Sequence, residues 1–243
     1  MSAPRFYVPQ PIASDAPLAL PQNIAHHAAH VLRLRVGDAV TLFNGEGGEY
    51  RATISAIGKR EVTVAVAAHD PVERESPLDV ALVQAVSSGD RMDLTLQKAV
   101  ELGVRRLVPV ESERCVVRLK GERADKRMSH WQQVVISACE QCGRNRVPAL
   151  QALVSLEAWL AAGPGAARRW VLLPGAETPL RDLPRPAGPV EILVGPEGGF
   201  TDAEAAAAQR AGYRPLRLGP RVLRTETAAP ALLAALQALW GDF

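Results

Sequence analysis

Hydrophobic and polar positions alternate with a period of two in three early runs, DAVTLFN (38–44), EYRATISAI (49–57) and EVTVAVAA (61–68). That period puts every second side chain on one face, so each run predicts a half-buried strand. GEGG and GKR separate the runs as turns, and three short strands with tight connections predict a small barrel-like β module. HDPVERESP (69–77), polar and with two prolines, reads as a linker.

From Leu78 the pattern changes. LDVALVQAV (78–86), RRLVPV (105–110), RRWVLLPG (168–175), PVEILVG (189–195) and YRPLRLG (213–219) are short apolar runs that read as strands. Between them lie stretches with helical spacing. In DRMDLTLQKAVELG (90–103), Met92, Leu96, Ala99 and Val100 share a face and Gly103 marks the stop; in ERADKRMSHWQQVVISACEQCG (122–143), Met128, Trp131, Val135, Ala138 and Cys142 do the same. SLEAWLAAG, TDAEAAAAQRAG and AAPALLAALQALW complete the helices. Strands alternating with helices predict an α/β domain whose mostly parallel sheet is covered on both faces. The expected division is a β-barrel domain over residues 1–72 and an α/β domain over 73–243. Ligands of such sheets bind beyond the carboxyl ends of the strands, where this chain places LLPG, VGPEGG and LGPR.

Composition narrows the class. The chain has 243 residues, 47% hydrophobic and 22% charged, which suits a globular protein with a sizeable core. It has no apolar run of about 18 residues to cross a membrane, and MSAPRFYVPQP lacks the apolar segment of a signal peptide. A cytoplasmic location without a membrane partner is therefore expected. Cys115, Cys139 and Cys142 are too few and odd in number for a disulfide scaffold. A net charge of +2 does not announce a nucleic acid. The basic stretch 105–127 admits two readings, a solvated surface or a patch facing a polyanion.

The candidate chemistry lies in EILVGPEGGFTDAE (191–204). Gly195, Gly198 and Gly199 crowd a strand end, which suits positive φ angles or a close approach to bare backbone. Thr201 and Glu204 have the spacing of a capping box, so the order is strand, glycine loop, helix. That is also the geometry of phosphate cradles. Phosphate fits poorly here, because the loop has no GxxxxGK[ST] lysine and Glu197 would repel it. A cationic ligand, or one read through adenine and backbone groups, suits the loop better. One strand later, LRLGPRVLRTETAAPALL places Arg221, Arg224 and Glu226 after Gly219. Thr227 is the expected N-cap of the last helix with Pro230 in its first turn, which leaves Arg224 and Glu226 in the loop.

LVGPEGGFTDAE followed by LGPRVLRTETA resembles the two C-terminal motifs of the RsmE-type small-subunit ribosomal RNA uridine methyltransferases, of the SPOUT superfamily. PRFYV, HVLRLRVGD, DRMDLTLQKAVELGV and EQCGRNRVP follow the same family in order. The resemblance implies a PUA-like RNA-binding barrel and an α/β domain tied in a trefoil knot. It also implies a homodimer, S-adenosylmethionine as cofactor, and methylation at ring nitrogen three of a uridine in ribosomal RNA of the assembled 30S subunit. S-adenosylmethionine is cationic and carries no phosphate, which agrees with Glu197. The cofactor residues so implied are Leu173, Val194, Gly195, Pro196, Glu197, Gly198, Gly199, Leu218, Gly219, Leu223, Thr227 and Ala228. For Glu197, contact with the cofactor and bracing of the loop both stay open. Glu226 is the candidate base and Arg224 the candidate stabiliser of the uridine anion.

Arg5, Arg33, Arg35, Lys59 and Arg60 are the candidate phosphate contacts of the barrel, with Gln141 and Arg144, from EQCGR, at the substrate entrance. The family's lysine near Ser88 is missing from VSSGD. His26, His27 and His30 lack a Cys or carboxylate partner, so no metal is expected, and Cys139 and Cys142 read as packing residues. Two rivals are a SpoU-type ribose 2′-O-methyltransferase and a non-catalytic RNA-binding assembly factor; RTETA in place of an SLNVS-like segment argues against the first, and intact glycine loops argue against the second.

Overall fold

The computed structural model describes residues 3–59, 61–163 and 168–243. The chain divides into two compact units, Met1–Glu75 with Cys139–Val147, and Ser76–Ala138 with Pro148–Phe243.

The first unit contains β1 (Arg5–Tyr7), β2 (Pro17–Ala19), α1 (Gln22–His26) with a π-helical turn after it, β3 (Ala39–Phe43), β4 (Glu49–Ile57) and β5 (Val62–Asp70). The sheet order is β1-β3-β4-β5-β2, antiparallel except for the parallel pair β1 and β3. Alternation sends Val40 and Leu42, Ala52 and Ile54, and Val62, Val64 and Val66 inward. They share one core with Phe6 of β1, Ile24 of α1 and, at its margin, Leu18 of β2. Both edge strands thus face the same interior, as a rolled sheet requires. β1 and β2 have three residues each, too few for a period of two to be read.

Residues 139–147 join this unit through the Gly143 carbonyl, which accepts from Arg5 and Arg74, and through the ion pair of Arg144 with Glu75. Glu49 receives Arg5 at 2.6 Å and Arg74 at 3.1 Å. Burial by itself would raise the Glu49 carboxyl, but the two guanidiniums hold it below its ordinary value. Arg144 meets Glu75 through Nε at 2.9 Å and through a second nitrogen, Nη2. Asn145 donates to the Val72 carbonyl at 2.8 Å.

The second unit contains β6 (Val80–Ala85), α2 (Asp90–Glu101), β7 (Arg106–Glu111), α3 (Glu122–Cys142, whose last four residues belong to the first unit), β8 (Ala149–Leu150), β9 (Val154–Ser155) and α4 (Leu156–Ala161). β10 (Arg168–Leu172), β11 (Val190–Val194), α5 (Asp202–Arg210), β12 (Arg214–Leu216) and α6 (Thr225–Trp240) follow. The sheet is parallel throughout, in the order β12-β10-β11-β6-β7-β8, with β9 also on β7. β6 and β11 are buried at every position, which is why both read as largely apolar runs, interrupted by Gln84 and Glu191, and both lie at the centre. The carboxyl ends of β10, β11, β12 and β6 therefore share one edge.

A buried charge sits in this core. The register places Arg169 opposite Glu191, 3.1 Å apart, with side chains 4% and 1% exposed. Tyr213 donates its hydroxyl to Glu191, and Trp159 donates its indole N–H to Tyr213 at 2.9 Å. Arg169 also donates to the carbonyls of Ala211 and Gly163 and lies 4.8 Å over the Tyr213 ring. Burial first, then Glu191, drive the Tyr213 phenol far above its ordinary range, so it stays a donor. Glu191→Gln leaves the Arg169 charge unpaired in the core, a loss of about 3–5 kcal/mol. Thermal unfolding should then drop by about 10 °C, at roughly 2–4 °C per kcal/mol for a chain this long. A shift below about 3 °C would show that the pair is already hydrated.

Candidate active site

Two glycine loops leave the ends of β11 and β12, the strands on either side of β10. After Val194 the chain turns through Gly195–Phe200, with Gly199 at φ 67°, and enters α5 by a capping box between Thr201 and Glu204. After β12 it turns at Gly219, φ 75°. At Gly199 and Gly219 the left-handed backbone itself favours glycine. Gly195 and Gly198 are small for another reason: a Cβ would come within 3.3 Å of the Phe200 ring at the first and 3.2 Å of the Arg114 side chain at the second.

These loops, the end of β10 and the start of α6 enclose a cavity of about 570 Å³. Leu172, Leu173, Val194, Leu216, Leu218 and Leu223 form its apolar wall; Arg91, Arg114, Arg217, Arg221 and Arg224 face two carboxylates, Glu197 and Glu226.

Thr225 fixes where α6 begins. Its hydroxyl donates to the Gly195 carbonyl at 2.7 Å and accepts from Gln84 Nε2, at the end of β6, at 3.0 Å. The N–H groups of Thr227 and Ala228 close the first turn on the Arg224 carbonyl. The helix accordingly starts at Thr225 with Arg224 as N-cap, three residues earlier than a Thr227 cap predicts, and Pro230 lies inside it. Pro230 cannot donate to the Glu226 carbonyl, a local loss outweighed by the buried bonds of Thr225. Glu226 thus stands on the helix and Arg224 at its threshold.

Glu197 braces the loop. Ser88 donates its N–H at 2.8 Å and its hydroxyl at 2.7 Å to Glu197 Oε1, and Arg91 lies 3.1 Å away. Burial would raise this carboxyl, but those donors outweigh it and hold it below its ordinary value. Arg114 donates to the carbonyls of Gly198 and Phe200 from the loop after β7. Glu226 is arranged differently: Oε1 lies 3.7 Å from Arg91 Nε, and Oε2 is buried without a hydrogen-bond partner. The exposed Arg224 guanidinium makes no hydrogen bond or ion pair among the described residues.

The cavity gathers Arg224, Glu226 and every cofactor residue expected from the sequence except Thr227. One helical step, about 100°, separates Thr227 from Ala228. Thr227 faces instead a groove between α2 and α6 lined by Leu94, Pro230 and Ala234. Arg91, Arg114 and Phe200 were missed: Arg91 reads as a helix surface residue, and nothing local marks the bonds of Arg114.

The basic candidates separate. Arg33, Arg35 and Lys59 are exposed, as is Gln141, and Arg33 holds a left-handed φ of 55°. Arg60 lies outside the described residues. Arg5 and Arg144 are committed to the buried pairs with Glu49 and Glu75. In the basic stretch, Arg114 and Arg118 donate to backbone carbonyls. Among the described residues no three His, Cys, Asp or Glu side chains form a metal site. Burial pushes the Cys139 thiol up to about 12, which keeps it protonated and unreactive.

A β unit followed by a parallel α/β domain with glycine loops at its strand ends is the plan of the RNA methyltransferases. The RNA methyltransferase domain family matches residues 74–237, and its PUA domain family matches 20–67. The chain belongs to this family. It is 33% identical to the ribosomal RNA small subunit methyltransferase E of Buchnera aphidicola over 98% of this chain and 97% of that one. A Neisseria gonorrhoeae ribosomal RNA small subunit methyltransferase E, solved bound to S-adenosyl methionine, superposes with a TM-score of 0.93 at 43% identity over the whole of both chains. A Legionella pneumophila methyltransferase, solved with its bound cofactor SAM, gives a TM-score of 0.97 at 40% identity, again over both whole chains.

Because the Glu197 carboxyl is held low, its bonds stabilise the fold at neutral pH, and that contribution fades as pH falls through the lowered value. Glu197→Gln should therefore unfold several degrees lower than the parent at pH 7, with the gap closing below about pH 4. A gap that persists undiminished well below pH 4 would show that the carboxylate charge does not brace the loop.

Proposed function

We propose that this protein methylates ring nitrogen three of a uridine in small-subunit ribosomal RNA, within the assembled subunit, using S-adenosylmethionine. The observation that carries the reading is Glu226 Oε2, a buried acceptor lacking a donor in a cavity whose other wall is apolar and glycine-rich. The fit to the cofactor is physical. Glycine backbone at 195, 198, 199 and 219 leaves N–H and C=O groups open to a ligand edge, and the leucines make a slot for a flat ring. Leu173, Val194 to Gly199, Leu218, Gly219, Leu223 and Ala228 would hold it, with Thr227 left out. When bound, it supplies a methyl carbon on a sulfonium, whose C–S bond breaks as the new N–C bond forms.

The uridine imide nitrogen is protonated at neutral pH and attacks poorly until the proton leaves. Glu226 Oε2 takes that proton. The negative charge then spreads over the two ring carbonyl oxygens, where the uncommitted Arg224 guanidinium balances it. The proton on Glu226 passes to solvent after transfer.

We assign RNA capture to the domain at residues 1–72, with phosphates meeting Arg33, Arg35, Lys59 and Arg60, beside Gln141. Arg5 and Arg144 build the unit that presents them. The methyltransferase domain, 73–243, is proposed to carry a trefoil knot. In support, α6 begins between the ends of β6 and β11 and is bonded through Gln237 to Ser76 and Leu102. A second copy covering the groove beside Leu94, 42% exposed, would make a homodimer. The cytoplasm is the proposed location.

Glu226→Gln and Arg224→Ala should each lower turnover on unmethylated small subunits by about 100-fold or more, with cofactor affinity held within a few-fold. Near-normal turnover in both variants would sink the assignment.

A further inference from the structure

Arg91 occupies the first turn of α2, and its guanidinium is shared between carboxylates of two different elements. Nη1 lies 3.1 Å from Glu197 Oε1 and donates to Ser88 Oγ at 2.8 Å, while Nε lies 3.7 Å from Glu226 Oε1. The two carboxylates do not depend on it equally. Without the guanidinium, Glu197 keeps both bonds from Ser88. Glu226 keeps no ion-pair partner among the described residues, since Arg91 is its only one there and Oε2 has no hydrogen bond.

A carboxylate is an acceptor on both oxygens, so a buried Oε2 without a donor is unfavourable unless a ligand brings one. Which oxygen is left open depends on how the carboxylate is turned about its terminal bond, a torsion that is soft in glutamate. A cation on one side removes that freedom. At 3.7 Å the contact is one of charge and not a hydrogen bond, so it orients the group without occupying the second oxygen.

We infer that Arg91 is the positioning residue of Glu226: by holding Oε1 from the α2 side it leaves Oε2 as the acceptor for the ring N–H of the substrate base. The inference rests on the reading of Glu226 as the proton acceptor for a uridine. It also supplies a reason for base choice. Uridine offers N–H at ring position three, whereas cytidine offers a lone pair there, which would set two acceptors against each other.

The test compares Arg91→Ala and Arg91→Lys with the parent protein on unmethylated small subunits, measuring kcat, KM for subunits and, separately, S-adenosylmethionine affinity by calorimetry. Misplacing an otherwise intact catalytic group costs on the order of 100-fold. Arg91→Ala should lose about that factor in kcat, with KM and cofactor affinity each within about threefold of the parent. Arg91→Lys, which keeps one point charge but not the shared fork, should recover about tenfold of the loss. Turnover of Arg91→Ala within threefold of the parent, a loss matched by lost cofactor affinity, or no recovery with lysine would each overturn the inference. The first leaves Glu226 as the base without needing Arg91, and the second makes Arg91 a clamp of the Glu197 loop. A parent protein that transfers no methyl group to uridine would defeat the underlying reading as well.

Discussion

The hydroxyl of Thr225 joins three parts of the chain that lie far apart in sequence. It accepts from Gln84 at the end of β6, donates to Gly195 at the end of β11, and opens the last helix. Thr225 and Gln84 are 6% and 1% exposed, so no solvent replaces these bonds. Removing the hydroxyl would leave the Gln84 amide and the Gly195 carbonyl without partners, at about 1–3 kcal/mol for each buried group. The position of Glu226 and Arg224 relative to the first glycine loop follows from this one atom. Because β6 and β11 are adjacent central strands, the clamp is rooted in the most deeply buried part of the sheet.

Charge then divides the cavity between bracing and chemistry. Glu197 is satisfied by Ser88 and Arg91, which suits a wall that must stay in place. Glu226 has one oxygen facing a cation and one buried without a donor, which suits a group that must exchange a proton with something not belonging to the protein. Arg114 ties the same loop through backbone carbonyls, so its charge remains while its geometry is spent. The contrast between satisfied and unsatisfied groups separates scaffold from site more sharply than residue type does.

Much of this was legible in the sequence. β6 and β11 announce themselves because central parallel strands are buried on both faces and so largely apolar, and the Thr201 capping box is written in four residues. The glycine loops are legible because a left-handed backbone at Gly199 and Gly219 favours glycine and close neighbours at Gly195 and Gly198 favour a small residue. Long-range bonds explain what was not. The start of α6 is set by Gln84 and Gly195, 141 and 30 residues from Thr225, against the local signal of Thr227 and Pro230. Arg5 and Arg144 look like free cations until Glu49 and Glu75, 44 and 69 residues away, are placed beside them. Arg91 hides on a helix surface. The order β12-β10-β11-β6-β7-β8 brings the late strand β11 next to β6, the first of its sheet, a return that periodicity does not encode.

The most direct measurement is the identity of the modified nucleoside. Small subunits from a strain lacking this methylation are incubated with the protein and S-adenosylmethionine labelled on its methyl group, and the RNA is digested to nucleosides for mass spectrometry. The label should appear on uridine, in the base fragment and at nitrogen three, with the ribose fragment unlabelled. Label on the ribose oxygen, or no incorporation by protein that binds the cofactor, would contradict a site built around the unpartnered oxygen of Glu226.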